Sequence, residues 1–190
     1  MAAVLAMAAS ASAAEEFHSE AAHTILAGEQ SEGTDEVWTF NAGTVTCKTT
    51  TYSGTTSVVT TGEVRLTPTF GECTAFGFVS TSVHPDNCAL TVGYKGATIQ
   101  LTCGLIVTAF NCFVRVGAQI LKKVGSWINK GVGTLRRWVN SWEITGVTYT
   151  QESRSFPGCS SGTFTNGTWR GAAEVRGANT TGASLGIWYE

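Results

Sequence analysis

Residues 120–142 read ILKKVGSWINKGVGTLRRWVNSW, and their reading decides whether the fold is purely β or a β-body with an inserted helix. The apolar residues are Ile120, Leu121, Val124, Trp127, Ile128, Val132, Leu135, Trp138, Val139 and Trp142. The steps between them are mostly one, three or four, the period of a helix rather than the period of two of a strand. Lys122, Lys123, Lys130, Arg136 and Arg137 fall between them. The pattern predicts an amphipathic helix with one apolar and one cationic face, about 35 Å long at about 1.5 Å per residue. Trp127, Leu135 and Trp138 are expected on its buried face.

The stretch contrasts with its surroundings. It holds five basic residues and no acid; the remainder of the chain has seven basic residues against 14 acidic ones. As an isolated helix it is poor. Gly125, Gly131 and Gly133 each cost about 1 kcal/mol relative to Ala, no Ser, Thr, Asp or Asn caps the start, and Lys122 and Lys123 oppose the macrodipole. It therefore needs an apolar partner. Two are open: the body of the protein itself, or an anionic lipid surface, which suits helices with Trp and Leu on one face and Lys and Arg on the other. On the second reading the membrane-binding residues are Lys122, Lys123, Trp127, Lys130, Leu135, Arg136, Arg137, Trp138 and Trp142. A basic stripe with aromatics also suits single-stranded bases, but a net-acidic exported chain argues against a nucleic-acid partner.

Outward from this stretch the pattern changes. The chain has 190 residues, 43% hydrophobic and only 14% charged, with 22 Gly and 3 Pro. That is enough for one domain with a real core, and the Thr/Val/Gly bias favours strands and tight turns. Candidate strands include HTILAGEQ from His23, GTVTCKTTTYSGT from Gly43 (breaking at Ser53-Gly54), SVVTTGEVRLTPTF from Ser57 (one strand or two), LIVTAFNCFVRVG from Leu105, EITGVTYTQES from Glu143 and GTFTNGTWRGAAEVRG from Gly162. Short strands at this spacing predict an all-β antiparallel sandwich or barrel. The expected organisation is a signal peptide at 1–14, a first β-rich part at 15–117, the cationic helical insert at 118–142, and a β-rich part at 143–190 completing the same domain.

The N-terminus reads MAAVLAMAASASAAEEF, a short apolar run ending in Ala11-Ser12-Ala13, the small-x-small pattern of a cleavage site. It is read as a signal peptide truncated at its charged end and cleaved after Ala13 or Ala14, so the expected location is secreted or cell surface. Six cysteines, Cys47, Cys73, Cys88, Cys103, Cys112 and Cys159, without any C-x-x-C pair, are read as three disulfides. CALTVGYKGATIQLTC is read as a hairpin turning at Lys95-Gly96. Pairing Tyr94 with Ala97 places Cys88 opposite Cys103, at a spacing a disulfide spans. The other expected pairs are Cys47–Cys73 and Cys112–Cys159.

FHSEAAHTILAGEQ, NAGTVTCKTTTYSGT, LTPTFGECTAFG, VTAFNCFVRVG, GTFTNGTWRGAAEVRG and the terminal GIWYE resemble a family of uncharacterised secreted, cysteine-containing β-rich proteins from soil actinobacteria. The resemblance implies export, a cysteine framework and an all-β fold, and it carries no activity. Between Gln119 and Glu143 the chain departs from it, where further Thr/Asn-rich strand sequence would be expected.

Chemistry-bearing motifs are sparse. His18, Glu20 and His23 do not share one face of a strand or a helix, which argues against a metal site. His84 reads as a turn residue. No G-x-S-x-G elbow accompanies the three His. Asn166 and Asn179 sit in glycosylation-type triplets and are read as turns. The expectation is a non-enzymatic chain without cofactor or metal, with a structural or binding role at the cell exterior and a protein or glycan ligand left open. The alternatives are a membrane-active, antimicrobial-like effector acting through residues 120–142 and, third, a hydrolase with an unrecognised site.

Overall fold

The computed structural model describes residues 16–85, 88–93, 98–102, 104–109, 111–122, 125–154 and 159–190. The expected signal peptide, Lys123, Cys103, the Lys95-Gly96 turn and Asp86-Asn87 lie outside these residues. In chain order the strands are β1 (Phe17–Ser19), β2 (Ile25–Gln30), β3 (Glu36–Phe40), β4 (Gly43–Thr55), β5 (Thr60–Thr61), β6 (Glu63–Ala75), β7 (Val79–Ser80), β8 (Ser82–Pro85) and β9 (Leu90–Gly93). They continue as β10 (Thr98–Leu101), β11 (Leu105–Ala109), β12 (Cys112–Val116), β13 (Gln119–Lys122), β14 (Trp127–Lys130), β15 (Arg137–Ser153), β16 (Gly162–Ala178), β17 (Ser184–Leu185) and β18 (Ile187–Tyr189). The all-β antiparallel expectation holds: one large sheet runs β13-β10-β9-β6-β4-β2-β16-β15-β12-β11-β8, and a small one runs β18-β1-β5.

Four long strands, β4, β6, β15 and β16, organise the body. The slot between β4 and β16 is filled twice along its length. β2 pairs Ala173–Ala178 and Thr51–Thr55, while β3 pairs Thr168–Arg170 and Gly43–Cys47. The chain breaks between β2 and β3 at a turn where Thr34 N–H donates to Ser31 O at 3.1 Å. The sheet curls so that its far ends return to it. The Gln119 side chain brackets the Thr148 backbone at 2.8 and 3.0 Å, drawing β13 to β15. Thr81 N–H donates to Cys73 O at 3.0 Å, drawing the β7–β8 corner to β6. Two barrel-like halves thus share four strands and one core, in which Trp38, Trp138, Trp142, Trp169 and Tyr149 are the bulky members.

Two expected disulfides form. Cys47 and Cys73 are directly opposed on β4 and β6, with Cα atoms 3.9 Å apart. Cys112 and Cys159 are joined at a Cα separation of 5.7 Å. Cys88 is also disulfide-bonded, its expected partner Cys103 being outside the described residues. In the described part of the β9–β10 hairpin Val92 faces Ile99 and Leu90 faces Leu101, the register the sequence predicted.

The helical insert at 118–142 does not form. Among the described residues the only helical element is a 3-10 turn, Gly133–Leu135, with no buried residue. The stretch is instead β13, β14, that turn, and the start of β15. Gly131 and Gly133, with φ of 76° and 53°, supply the left-handed conformations of a hairpin turn. Trp127 then pairs with Asn140, and Lys130 with Arg137. The helix boundary also fell inside a strand: β15 runs unbroken through Trp142 and Glu143, and twelve of its residues pair with β16. A helix satisfies only its own backbone, whereas here β14 and β16 supply partners on both edges and the inward period of two buries Trp138, Trp142 and Ile144.

Candidate functional site

Two arrangements of tryptophan and charge stand out. The first is at the waist, where β3 starts beside the β2–β3 break. Alternation along Glu36-Val37-Trp38-Thr39-Phe40 turns Glu36, Trp38 and Phe40 into the core, and Glu36 is 0% exposed. Its Oε1 accepts the Trp169 indole N–H, and Tyr52 Oη donates to Oε2 at 3.2 Å. Trp169 stacks on Trp38 at 4.4 Å and meets Trp142 edge-on at 5.4 Å. Gly171 faces the same space, and a Cβ there would strike the Glu36 carboxylate and the Trp142 ring. Burial strips water from the Glu36 carboxyl and, despite the bonds from Trp169 and Tyr52, pushes its pKa up to about 8. Tyr52 is pushed well above its usual value, by burial first and then by Glu36. At neutral pH Glu36 is therefore predominantly a neutral acid. The adjoining interior cavity, lined by Tyr52, Asn140, Trp142 and Trp169 among others, is about 20 Å³, room for a water-sized molecule at most. The waist is a closely packed interior.

The second arrangement is the β14–β15 hairpin, at the end of the body where β1 and β18 pair. Its inner side is fixed. Trp127 packs on Phe17 at 5.1 Å, on Trp138 at 5.2 Å and on Tyr189 at 5.1 Å. The Asn129 amide brackets the Tyr189 backbone at 2.6 and 2.9 Å. Its outer side is bare: Ile128, Val132 and Leu135 are 51%, 79% and 65% exposed. Lys130 is exposed beside them, and Lys122 is exposed on β13. The Arg136 guanidinium lies 4.7 Å from the Trp188 ring, on which His18 also stacks at 5.3 Å.

Of the residues expected to touch a membrane, Lys122, Lys130 and Leu135 are exposed, Arg136 and Arg137 are half-buried, and Trp127 is half-buried against the core. Trp138 and Trp142, at 2% and 6% exposure, are core residues and cannot reach a surface while the protein is folded. The expectation that Leu135 is buried is reversed. The hairpin replaces a helical stripe with strand alternation, and the turn that follows carries Leu135 outward.

An open groove of about 670 Å³ crosses the outer face above the waist, with Asp35, Glu143 and Arg170 among its residues. It mixes both signs of charge. His18 and Glu20 serve packing, since Glu20 Oε2 accepts the Gly186 N–H at 2.8 Å, and no metal-competent cluster occurs among the described residues. Asn179 caps a turn, accepting the Thr181 and Ala183 N–H at 3.0 and 2.9 Å. Asn166 lies within β16 rather than in a turn, bonded to Asn41 at 2.7 Å, and His84 pairs with Ile106 as part of β8. Sequence reasoning missed Glu36, although Glu36, Trp38 and Phe40 at a spacing of two already marked a strand face. It also missed Trp188 and Arg176, which only strand pairing brings to the hairpin.

No protein family, no curated protein and no solved structure matches the chain.

Proposed function

We propose that the protein is an exported, disulfide-stabilised β-domain with a binding role at the cell exterior. Its binding element is the β14–β15 hairpin, which lies on an anionic lipid surface while the body stays folded. The observation that carries this reading is the bare outer side of the hairpin. Three large aliphatic side chains are exposed within eight residues, beside Lys130 and Arg136, in a stretch of 23 residues without an acid. Export is supported by the disulfides, which persist in oxidising compartments, and by the leader-like N-terminus.

Magnitudes make this contact peripheral. Burying each aliphatic side chain contributes about 1.5–3 kcal/mol and each cation near an anionic surface about 1 kcal/mol. Against an association cost of about 4–15 kcal/mol, the result is weak, salt-sensitive adhesion. Insertion of residues 120–142 as a helix would remove Trp138 and Trp142 from the core, so the antimicrobial-like route is not part of the proposal. Nor is a catalytic step, a cofactor or a nucleic-acid partner.

Cosedimentation of the full chain with phosphatidylglycerol and with phosphatidylcholine vesicles tests the reading. Binding to the first, weakened by salt and lost in an I128S/V132S/L135S variant that keeps its melting temperature, supports it. Absence of binding by the folded protein leaves the domain a structural role.

A further inference from the structure

Beneath the hairpin lies a second feature, formed where β14–β15, β16 and β17 converge. A pocket of about 260 Å³ is lined by Thr134, Leu135, Arg136, Arg137, Arg176 and Ser184, with others. It is smaller than the roughly 300–1,000 Å³ of pockets that hold drug-sized ligands, and suits a small group. Three arginines share it. They reach it from separate places: Arg136 from the hairpin turn, Arg137 from the start of β15, and Arg176 from β16.

One carboxylate orients two of them. Glu174 Oε1 accepts from Arg176 Nη2 at 2.7 Å and Nε at 3.0 Å, and it ion-pairs with Arg137, whose Nε lies 2.8 Å away. Burial opposes the charge on Glu174, but the bonds from Arg176 and Arg137 outweigh it and hold its carboxyl below the usual range. Arg176 also meets Glu29 at 3.2 Å. Arg136 enters no ion pair among the described residues; its guanidinium is placed by the Trp188 ring. A guanidinium offers five donors in a planar fork that matches phosphate oxygens, so among the described residues donors remain on Arg136 and on the terminal nitrogens of Arg137. Thr134 and Ser184 add hydroxyls at the rim, and Leu135 joins the pocket to the exposed aliphatic edge.

We propose that this pocket is a phosphate site, and that the phosphate it takes is the headgroup of an anionic phospholipid whose bilayer the hairpin touches. The lipid source rests on the surface reading above; the phosphate chemistry rests on the pocket. A phosphomonoester fits best, because its three oxygens and up to two charges can take the donors that Arg136 and Arg137 leave open beside the Glu174 carboxylate.

Vesicles of matched surface charge test this, one set carrying phosphatidic acid, whose phosphate is a terminal monoester, the other phosphatidylserine. The full chain is expected to bind the phosphatidic acid vesicles about tenfold more tightly. Arg136→Gln should reduce that ratio to near one, with phosphatidylserine binding weakened by no more than the loss of one surface charge accounts for and the melting temperature in place. Equal binding to both vesicles by the unaltered protein overturns the phosphate site and leaves the surface reading standing. Binding to neither overturns the surface reading. Titration with inorganic phosphate then separates the sources. Saturable binding of free phosphate, lost in Arg136→Gln and without any vesicle preference, overturns the lipid source.

Discussion

The waist and the hairpin end are both built from tryptophan and charge, turned opposite ways. At the waist the charge-bearing group is inside: Glu36 is wrapped by Trp38, Trp142, Trp169 and Tyr52. At the hairpin the rings of Trp127 and Trp138 are inside, and the arginines and lysine ring an exposed aliphatic edge. A buried carboxyl is costly unless it is neutral and bonded, so the waist spends its polarity on holding two barrel-like halves in one arrangement. The hairpin has already satisfied its inner side and leaves its outer side exposed. Substitutions should therefore unfold the protein at one place and, on the proposed reading, weaken vesicle binding at the other.

The largest effect is expected from Trp169→Ala, which removes a stacked core ring and the donor to Glu36. It should cost about 3–5 kcal/mol, read as a lower urea midpoint. A loss below about 1 kcal/mol would mean that the waist does not hold the halves together.

The pH dependence comes next. Glu36 keeps its proton in the folded state up to about 8, whereas the unfolded chain releases it near 4.5. The folded state thus binds the extra proton between these values. Its contribution is complete below pH 4.5, declines by about 1.4 kcal/mol per pH unit through that window, and levels off above 8. Urea midpoints at pH 5, 6.5 and 8 should fall in order, and Glu36→Gln should flatten that part of the trend. An unaltered slope in Glu36→Gln would place the titrating group elsewhere.

Both regions show what the sequence could and could not carry. β4 starts where the quoted GTVTCKTTTYSGT starts but runs on through Ser53-Gly54, a predicted break, to Thr55, because β2 and β6 pair with it there. The Val92–Ile99 register is the one the quoted CALTVGYKGATIQLTC predicts, because alternation and turn residues are local signals. The 120–142 stretch misled for a physical reason. Its two hairpin arms face each other across Gly131 and Gly133, so outward Ile128, Val132 and Leu135 and inward Trp138 and Trp142 interleave into a helical spacing. Polar Asn140 at an inward position hides the period of two. The arginine pocket was invisible for another reason: Arg176 is 39 residues beyond Arg137, and only the β15–β16 register and the ion pairs through Glu174 join them.

The smallest effect on stability is expected where the effect on binding is greatest. Each of Ile128→Ser, Val132→Ser and Leu135→Ser should move the unfolding free energy by no more than about 0.5 kcal/mol, because these side chains already face water. A loss above about 2 kcal/mol in any of them, measured in urea, would show that the edge is packed and not offered.

Hydrogen exchange of the full chain, with and without phosphatidylglycerol vesicles, tests the central claim most directly. The amides of Trp138–Ile144 should be protected in buffer and stay protected on vesicles, with new protection confined to residues 128–136. Loss of protection across 138–144 on binding would mean that the stretch leaves the sheet to meet the membrane, and would contradict the claim that it binds as a folded hairpin.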